Sequence, residues 1–318
     1  MVTKKAAILG WTGRGCIDDL LSSVRYSLKD QGIRGKARRA GRTIVVDGPE
    51  PLSVAAAVGR MPGVGWVAAG FACTSVVELS AAGRVLAKAY LRKGSKFRVR
   101  AEGATPSMAS DLGGGLTGSL LDSARGSRAS DAQGIVFRAS FDGEAGAVGA
   151  QVAEGPGGVP TGEEEVACLV SGGKHSAVLA WLALLQGFKV RLVHAASGEE
   201  NLRAVASLYS ELSFRADPRG LGLEVLTGAS VLGAISTYAG ESKVSVFAGF
   251  SRGGEDHMLP DVIAPLYLMP EESFAEEYEA LGVRASMTET DWRGESKGAA
   301  ARFGGKRADI SGVLDGLK

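Results

Sequence analysis

The stretch 166–195 constrains the fold of this chain more than any other. It reads "VACLV", then Ser-Gly-Gly, then "SAVLAWLALLQG", then "VRLVHA". A short apolar run, a tight turn, a helix-length apolar pattern and a second apolar run make a strand–helix–strand unit. Strands joined by a helical crossover lie parallel, and a parallel sheet is covered by helices on both faces. "LEVLTG", "KVSVFAGF" and "VIAPLYL" continue as strands, and "PEESFAEEYEALGV" reads as a late helix with proline and acids at its start and glycine at its end. The expectation for this half is α/β: a doubly wound parallel sheet.

The turn between the first strand and its helix holds Ser171, Gly172, Gly173, Lys174, His175 and Ser176. Glycines let the backbone turn sharply and approach a ligand closely. The first amides of the helix point into the turn, and the helix dipole favours an anion there. Ligands of open α/β sheets sit beyond the carboxyl ends of the strands. These residues are therefore the candidate phosphate site. A bare Ser-Gly-Gly is also a common turn with no ligand, and both readings stand at this point.

The chain before this half has a different pattern. Residues 1–71 open with the strand-like "KKAAILGW". A helix pattern follows with Ile17, Leu20, Leu21, Val24 and Leu28, then the basic stretch "GIRGKARRAGR", the strand "TIVVDG", and a helix, Pro-Gly turn and strand in "EPLSVAAAVGRMPGVGWVAAGF". Residues 72–153 form a second α+β unit. "SVVELSAAGRVLAKAYL" is helical, with Val77, Leu79, Val85, Leu86 and Leu91 among its apolar positions; "SKFRVRAE" alternates as a strand; "SDLGGGLTGSLLDSA" is a glycine-rich helix entry; "GIVFRASFDG" and "AGAVGAQVA" pair as a hairpin. Residues 154–165 are a Gly/Pro linker, 166–289 the parallel-sheet domain, and 290–318 a Gly/Lys/Arg-rich tail expected to be partly disordered.

Charge separates the halves. Residues 1–150 carry 21 Lys+Arg against 12 Asp+Glu, and residues 151–318 carry 15 against 23, although the whole chain is only +1. A basic half beside an acidic half points to a polyanion for the first. Two clusters concentrate the charge: Arg34, Lys36, Arg38, Arg39 and Arg42, and Lys93, Lys96, Arg98 and Arg100. Strand alternation puts Lys96, Arg98 and Arg100 on one face. Aromatic residues are 6% of the chain, so phosphate and shape contacts to structured RNA fit better than base stacking. Only Cys16, Cys73 and Cys168 occur, far apart, so neither a disulfide framework nor a zinc or iron–sulfur site is expected. The opening "MVTKKAAILGWTGRG" has too short an apolar run for a signal peptide, and no stretch has the length and apolarity of a membrane span. The expectation is a cytoplasmic protein without a membrane partner.

The run "GPGGVPTGEEEVACLVSGGKHSAVLAWLALLQGFKVRLVHA" resembles the domain junction of the 4-thiouridine synthetase (ThiI) family. "SLKDQGIRGKARRAGRTIVVDG…VAAAVGRMPGVGWVAAG" is similar to that family's ferredoxin-like unit. "SKFRVRAE" is similar to the central strand of its THUMP domain, and "IAPLYLMPEESFAEEYEALGV" to a strand and helix beyond its nucleotide site. The resemblance spans about residues 1–285 in colinear order. It implies a ferredoxin-like unit and an RNA-binding THUMP unit, followed by a PP-loop ATPase-like (adenine nucleotide alpha hydrolase-like) domain. It further implies tRNA as partner, ATP and Mg as cofactors, and adenylylation of a tRNA uridine followed by attack of a persulfide sulfur. The loop residues 171–176 would then hold the nucleotide and the two basic clusters the RNA.

Four departures bear on that reaction. The family loop reads SGG-x-D-S, and His175 stands where it has the acid; a neutral imidazole is a poor magnesium ligand. No Cys follows Cys168, which lies within the strand before the loop and reads as a core residue, so the late persulfide thiol is missing. About seventeen residues separate Leu226 from Val244, where the family inserts a long arginine-bearing helical segment. "GFSRGGEDHM" keeps glycines but lacks the family's Gln. His175, His194 and His257 all fall in this half; a metal site, a protonated anion pocket and incidental placement are each open. The expectation is a tRNA-binding relative of the thiouridine synthetases whose sulfur transfer is lost or altered. The alternatives are an active thiolating enzyme using an external sulfur carrier, and a nonenzymatic RNA-recruiting scaffold, for which a homodimer is compatible.

Overall fold

The computed structural model describes residues 4–124, 127–130, 134–195, 199–227, 230–249, 261–266, 269–281 and 301–304. The chain divides into two compact units, Met1–Pro160 and Thr161–Lys318.

The first unit has, in order, β1 (Lys4–Trp11), α1 (Ile17–Asp30), β2 (Lys36–Ala40), β3 (Thr43–Asp47), α2 (Pro51–Val58), β4 (Val64–Cys73), α3 (Val76–Tyr90), β5 (Lys96–Gly103), α4 (Pro106–Ser123), β6 (Arg128–Ala129), β7 (Ile135–Phe141) and β8 (Gly146–Glu154). The strands form one eight-stranded sheet in the order β2-β3-β1-β4-β8-β7-β5-β6. A single sheet thus runs through both of the α+β stretches.

Its helices cover one face. Ile17, Leu20, Leu21, Val24 and Leu28 of α1 are buried against Ala7, Leu9, Ile44, Val46 and Val67. Each such Leu, Ile or Val contributes about 1.5–3 kcal/mol on burial. Leu79 and Leu86 of α3 and Leu112, Leu116 and Leu120 of α4 pack with Phe97, Phe137 and Phe141. Ser75 caps α3 by accepting from the Glu78 amide, and Glu78 accepts in turn from the Thr74 amide and hydroxyl. Val77 and Val85 do not join this core: they are 68% and 52% exposed. The small residues Ala82, Gly83 and Ala87 face inward instead, because α4 packs close there, with Leu116 against Gly83. The glycine-rich segment is helical throughout α4. Its glycines cost about 1 kcal/mol each. That is offset by the Thr105 cap on the Met108 amide and by three buried leucines spaced four apart.

The opposite face carries no helix, and it is rolled. Thr43 of β3 and Ser140 of β7 join their hydroxyls at 2.8 Å. Those strands are separated by β1, β4 and β8, which in a flat sheet would put them about 19 Å apart. Ser140 also donates to the Ala40 carbonyl, and the Gly41 amide donates to Asp142 at 3.1 Å. The concave side is lined by small residues, Ala6, Ala40, Ala68, Ala72 and Ala147 with Ile8 and Val45, since larger ones would not fit inside so tight a curl. The one large side chain of this cluster, Trp66, fits because it packs on Gly10, where a Cβ would lie 2.0 Å from its ring.

Residues 155–164 have no regular structure but are held. The Gly155 and Gly157 amides donate to the carbonyls of Gly65 and Val64, and Thr12 donates to the Gly158 carbonyl; the Gly162 amide donates to the Gly187 carbonyl.

The second unit has β9 (Glu165–Leu169), α5 (Lys174–Leu185), β10 (Lys189–Ala195), α6 (Glu199–Arg215), β11 (Leu221–Leu226), α7 (Val231–Glu241), β12 (Ser245–Ala248), β13 (Val262–Ile263), α8 (Glu271–Leu281) and β14 (Ala301–Gly304). The sheet order is β13-β12-β9-β10-β11-β14, parallel except for β14. This is the doubly wound sheet expected from the strand–helix alternation, with the order reversing at β9. One expectation needs correction. The strand expected over "VIAPLYL" is only Val262–Ile263; Tyr267 and Leu268 lie outside the described residues. Within the tail, Ala301–Gly304 adds an antiparallel edge strand beside β11, because the open edge of β11 supplies a row of backbone groups for any extended segment to pair with. No described helix is long and apolar enough to cross a membrane.

Candidate functional site: the glycine loop and the rolled basic face

The loop leaves β9 at its carboxyl end, beside the point where the sheet order reverses. Gly172 has φ +87°, a conformation that L side chains rarely adopt. A Cβ there would lie 2.8 Å from Ala204 Cβ and 3.2 Å from the Asn201 carbonyl oxygen, so α6 packs directly on the loop. Gly249, just after β12, sits against the backbone of His175 and Ser176: a Cβ would meet the His175 carbonyl carbon at 2.7 Å. The loop is thus clamped from both sides by backbone.

Much of its polar capacity is turned inward. The Ser171 amide donates to Ser176 Oγ and the Gly173 amide to Ser171 Oγ, both at 3.3 Å; Ser176 Oγ donates to the Gly173 carbonyl at 2.9 Å. The first-turn amides of Lys174, His175 and Ser176 remain those that helix geometry leaves without an intrahelical acceptor. Lys174 is exposed, its Nζ 5.9 Å from the Tyr278 ring. His175 stacks on Phe274 of α8 with ring centroids 4.4 Å apart and 26° between planes. Burial holds its pKa below the ordinary 6.5, with Glu271 opposing and Lys174 assisting.

His194 is the penultimate residue of β10 and is 1% exposed. Its Nδ1 lies 2.8 Å from the Val170 carbonyl, which can only accept, so Nδ1 carries the proton. Nε2 is then an acceptor, shielded from solvent and without a hydrogen-bond partner among the described residues. A cavity of about 10 Å³, the size of one water, adjoins it, lined in part by Ser171, Ala195 and Ile235. Burial depresses the His194 pKa, opposed by the Val170 carbonyl. The two described histidines do not converge: one stacks on α8 and the other bonds to β9's continuation. His257 lies outside the described residues. Among the described residues no three His, Cys, Asp or Glu side chains are placed to share a metal ion. Cys168 is fully buried and its thiol is pushed up to about 12 by burial, as a core residue would be.

The basic residues distribute as follows. Arg34, Lys36 and Lys93 are exposed, in or beside turns. Arg38 reaches Asp47 at 3.9 Å on the helix-free face, whereas Arg39 points to the helix side and pairs with Asp18 of α1 at 3.4 Å. Lys96, Arg98 and Arg100 share the helix-free face, as the strand alternation requires, with Arg100 directly opposite Arg138 of β7. Arg42 lies 5.7 Å from the Trp11 ring. Sequence reasoning missed Arg138, whose guanidinium sits 4.5 Å over Trp66 and donates to Gln151 at 2.8 Å. Its one sequence signal was the same alternation in "IVFRASF", a lone arginine on a strand.

A rolled α+β sheet followed by a doubly wound parallel sheet with a glycine loop defines the fold class. Solved structures of that class are similar to this chain. One is the crystal structure of PH1313 from Pyrococcus horikoshii, 19% identical, covering 88% of this chain and 100% of that one, with a TM-score of 0.70. Another is a 4-thiouridine synthetase–RNA complex with bound ATP, 17% identical, covering 88% and 85%, with a TM-score of 0.63. No protein-family model matches the sequence. No curated protein matches it either. The likeness is one of fold.

Proposed function

We propose that this chain is a tRNA-binding protein of the thiouridine-synthetase fold whose sulfur-transfer chemistry is lost or altered. One observation carries the reading. The loop keeps its glycine geometry, but the side chain at position 175 is turned onto Phe274 and supplies no hard oxygen. Among the described residues the loop side chains, Ser171, Lys174, His175 and Ser176, supply no carboxylate for a magnesium ion. The loop's own hydroxyls also occupy the amides of Ser171 and Gly173. The thiol nearest the loop, Cys168, is buried and protonated. The basic strands of the first unit support the RNA half of the reading, together with the RNA-bound state of the structural neighbour. Arg34, Lys36, Arg38, Arg42, Lys93, Lys96, Arg98 and Arg100 are the residues for phosphate contact; Arg39 contributes less, being paired to Asp18.

A second reading has its own observation. His194 Nε2 is a buried acceptor without a partner, beside the loop. One water fills that space and satisfies it, giving the loop a polar floor, and a nucleotide would then place its phosphates on the amides of 174–176. That favours retained nucleotide binding, and with an external sulfur donor it would allow turnover.

Filter binding of tRNA to the full chain tests the first reading. Affinity should fall steeply with salt, log K against log salt having a slope of about −0.7 to −0.9 per phosphate neutralised. Absence of tRNA binding at low salt refutes it. Calorimetry with ATP, and AMP formation in the presence of tRNA and sulfide, separate the two readings. AMP release abolished by Gly173→Asp would establish the enzyme; ATP binding without AMP release leaves a nucleotide-holding RNA binder; no heat with ATP leaves a scaffold.

A further inference from the structure

The roll of the first sheet brings together charges that the sequence keeps about a hundred residues apart. Arg42 lies in the β2–β3 turn, and Thr43 beside it bonds to Ser140 of β7 across the concave face. Ser140 lies opposite Glu102 of β5, and Arg138 opposite Arg100. Both Arg42 and Arg138 are within electrostatic reach of Glu102, and Arg98 and Arg100 are within reach of Arg138. Arg42 and Arg138 thus act on Glu102, while Arg138 has Arg98 and Arg100 on one side of its balance and Glu154 and Glu102 on the other, so guanidinium groups outnumber carboxylates two to one in this group.

The pairing within this group is incomplete. Arg138 spends one donor on Gln151 and its face on Trp66. Arg98 Nε is shielded from solvent with no acceptor among the described residues. Burial, and then Arg100, hold the Arg138 guanidinium below its ordinary range. Burial also raises the Glu102 carboxyl, with Arg42 and Arg138 opposing. Partly desolvated guanidinium groups in excess over carboxylates are the setting in which a planar bidentate oxyanion is held best.

We infer that Arg42, Arg98, Arg100 and Arg138 form one phosphate-binding site on the rolled face, so that the two basic clusters grip the same phosphate group of an RNA rather than two separate stretches of it. This rests on the RNA-binding reading above and adds to it a shared site, the residue Arg138 and an opposing residue, Glu102. The closed seam through Thr43, Ser140 and Asp142 is what brings Arg42 within reach of Glu102 of β5.

The test is a double-mutant cycle on the full chain, measured by tRNA filter binding at fixed salt. Arg42→Ala and Arg138→Lys should each weaken binding about fivefold or more. Lys keeps the charge and loses the fork and the ring stacking. The pair should weaken it by at least about twofold less than the product of the two, because residues serving one group couple. Glu102→Gln should tighten binding about threefold, since it removes a like charge from the anion's surroundings; a purely structural role would weaken it. Unchanged thermal melts guard against misfolding. Multiplicative losses, or a neutral or weakening Glu102→Gln, overturn the proposal. If wild type binds no tRNA, titration of tryptophan fluorescence with inorganic phosphate decides. Quenching lost in Arg42→Ala and Arg138→Lys keeps the phosphate site and refutes the RNA reading alone; no quenching refutes both.

Discussion

Gly172 and Gly173 look equivalent in the sequence, and the structure makes them opposite. Gly172→Ala must hold a side chain at φ +87° and push its Cβ to within 2.8 Å of Ala204 Cβ. The backbone term alone is about 1–2 kcal/mol, and overpacking adds about 1–3 kcal/mol. Two kcal/mol, the low end of the sum, is about a 30-fold rise in the open population, at 1.4 kcal/mol per decade. Gly173→Ala should be nearly neutral, because its Cβ would meet only Ser171 Oγ, at 3.4 Å, with φ −79°. The buried thiols supply the assay. Cys168 of the second unit and Cys73 of the first are each at most 1% exposed, and Cys16 is exposed. Under native conditions, a thiol reagent followed by peptide mass spectrometry should label Cys16 at once and the other two only through opening. Gly172→Ala should accelerate Cys168 labelling about 30-fold or more and leave Cys73 near its wild-type rate. Ala204→Gly in the same chain should recover the contact part and not the backbone part. A Cys168 rate within threefold of wild type in Gly172→Ala refutes the clamp.

Four further outcomes follow from the same packing. His194 and His175 both have folded pKa values depressed below 6.5 by burial, so the unfolded chain binds more protons and their contribution, complete above about pH 6.5, is lost as pH falls toward the depressed values; urea unfolding that is flat from pH 7.5 to 5 contradicts this. Gly249→Ala drives a Cβ into the His175 backbone and should destabilise the second unit by more than 1 kcal/mol, seen as faster Cys168 labelling. Thr43→Val removes the hydroxyl bridge to Ser140, costing about 1–2 kcal/mol and weakening tRNA binding; unchanged melting shows that the seam does not hold the roll. His175→Asp puts a hard oxygen at the loop but gives up the Phe274 stack, so it should lower stability and make any ATP binding stronger with magnesium than without; calorimetry with and without magnesium measures it.

The second unit was the more legible half. Its strands are continuous apolar runs because a parallel sheet is buried on both faces, and that composition is readable without neighbours. "SAVLAWLALLQG" and "PEESFAEEYEALGV" gave their helices within a few residues, with Gly187 just past the end of α5 and Pro270 and two acids at the start of α8. The strand face of Lys96, Arg98 and Arg100 was readable too, since period-two alternation is local. What local pattern could not give was the direction of a loop side chain. His175 is adjacent to the glycines in sequence, yet α8, about a hundred residues later, supplies the ring it stacks on. The exposure of Val77 and Val85 was hidden for the same reason: which stripe of α3 is buried depends on how closely α4 approaches.

The sequence by itself determined the order of elements, the glycine turn at 171–173 and the basic character of the first unit, all set by short-range sterics, periodicity and composition. Only the tertiary structure decided that one sheet runs from β1 to β8, that it curls until Thr43 meets Ser140, and that Arg42 and Arg138 act on a common Glu102. Curl is the accumulated twist of many strands, and no single stretch of sequence carries it.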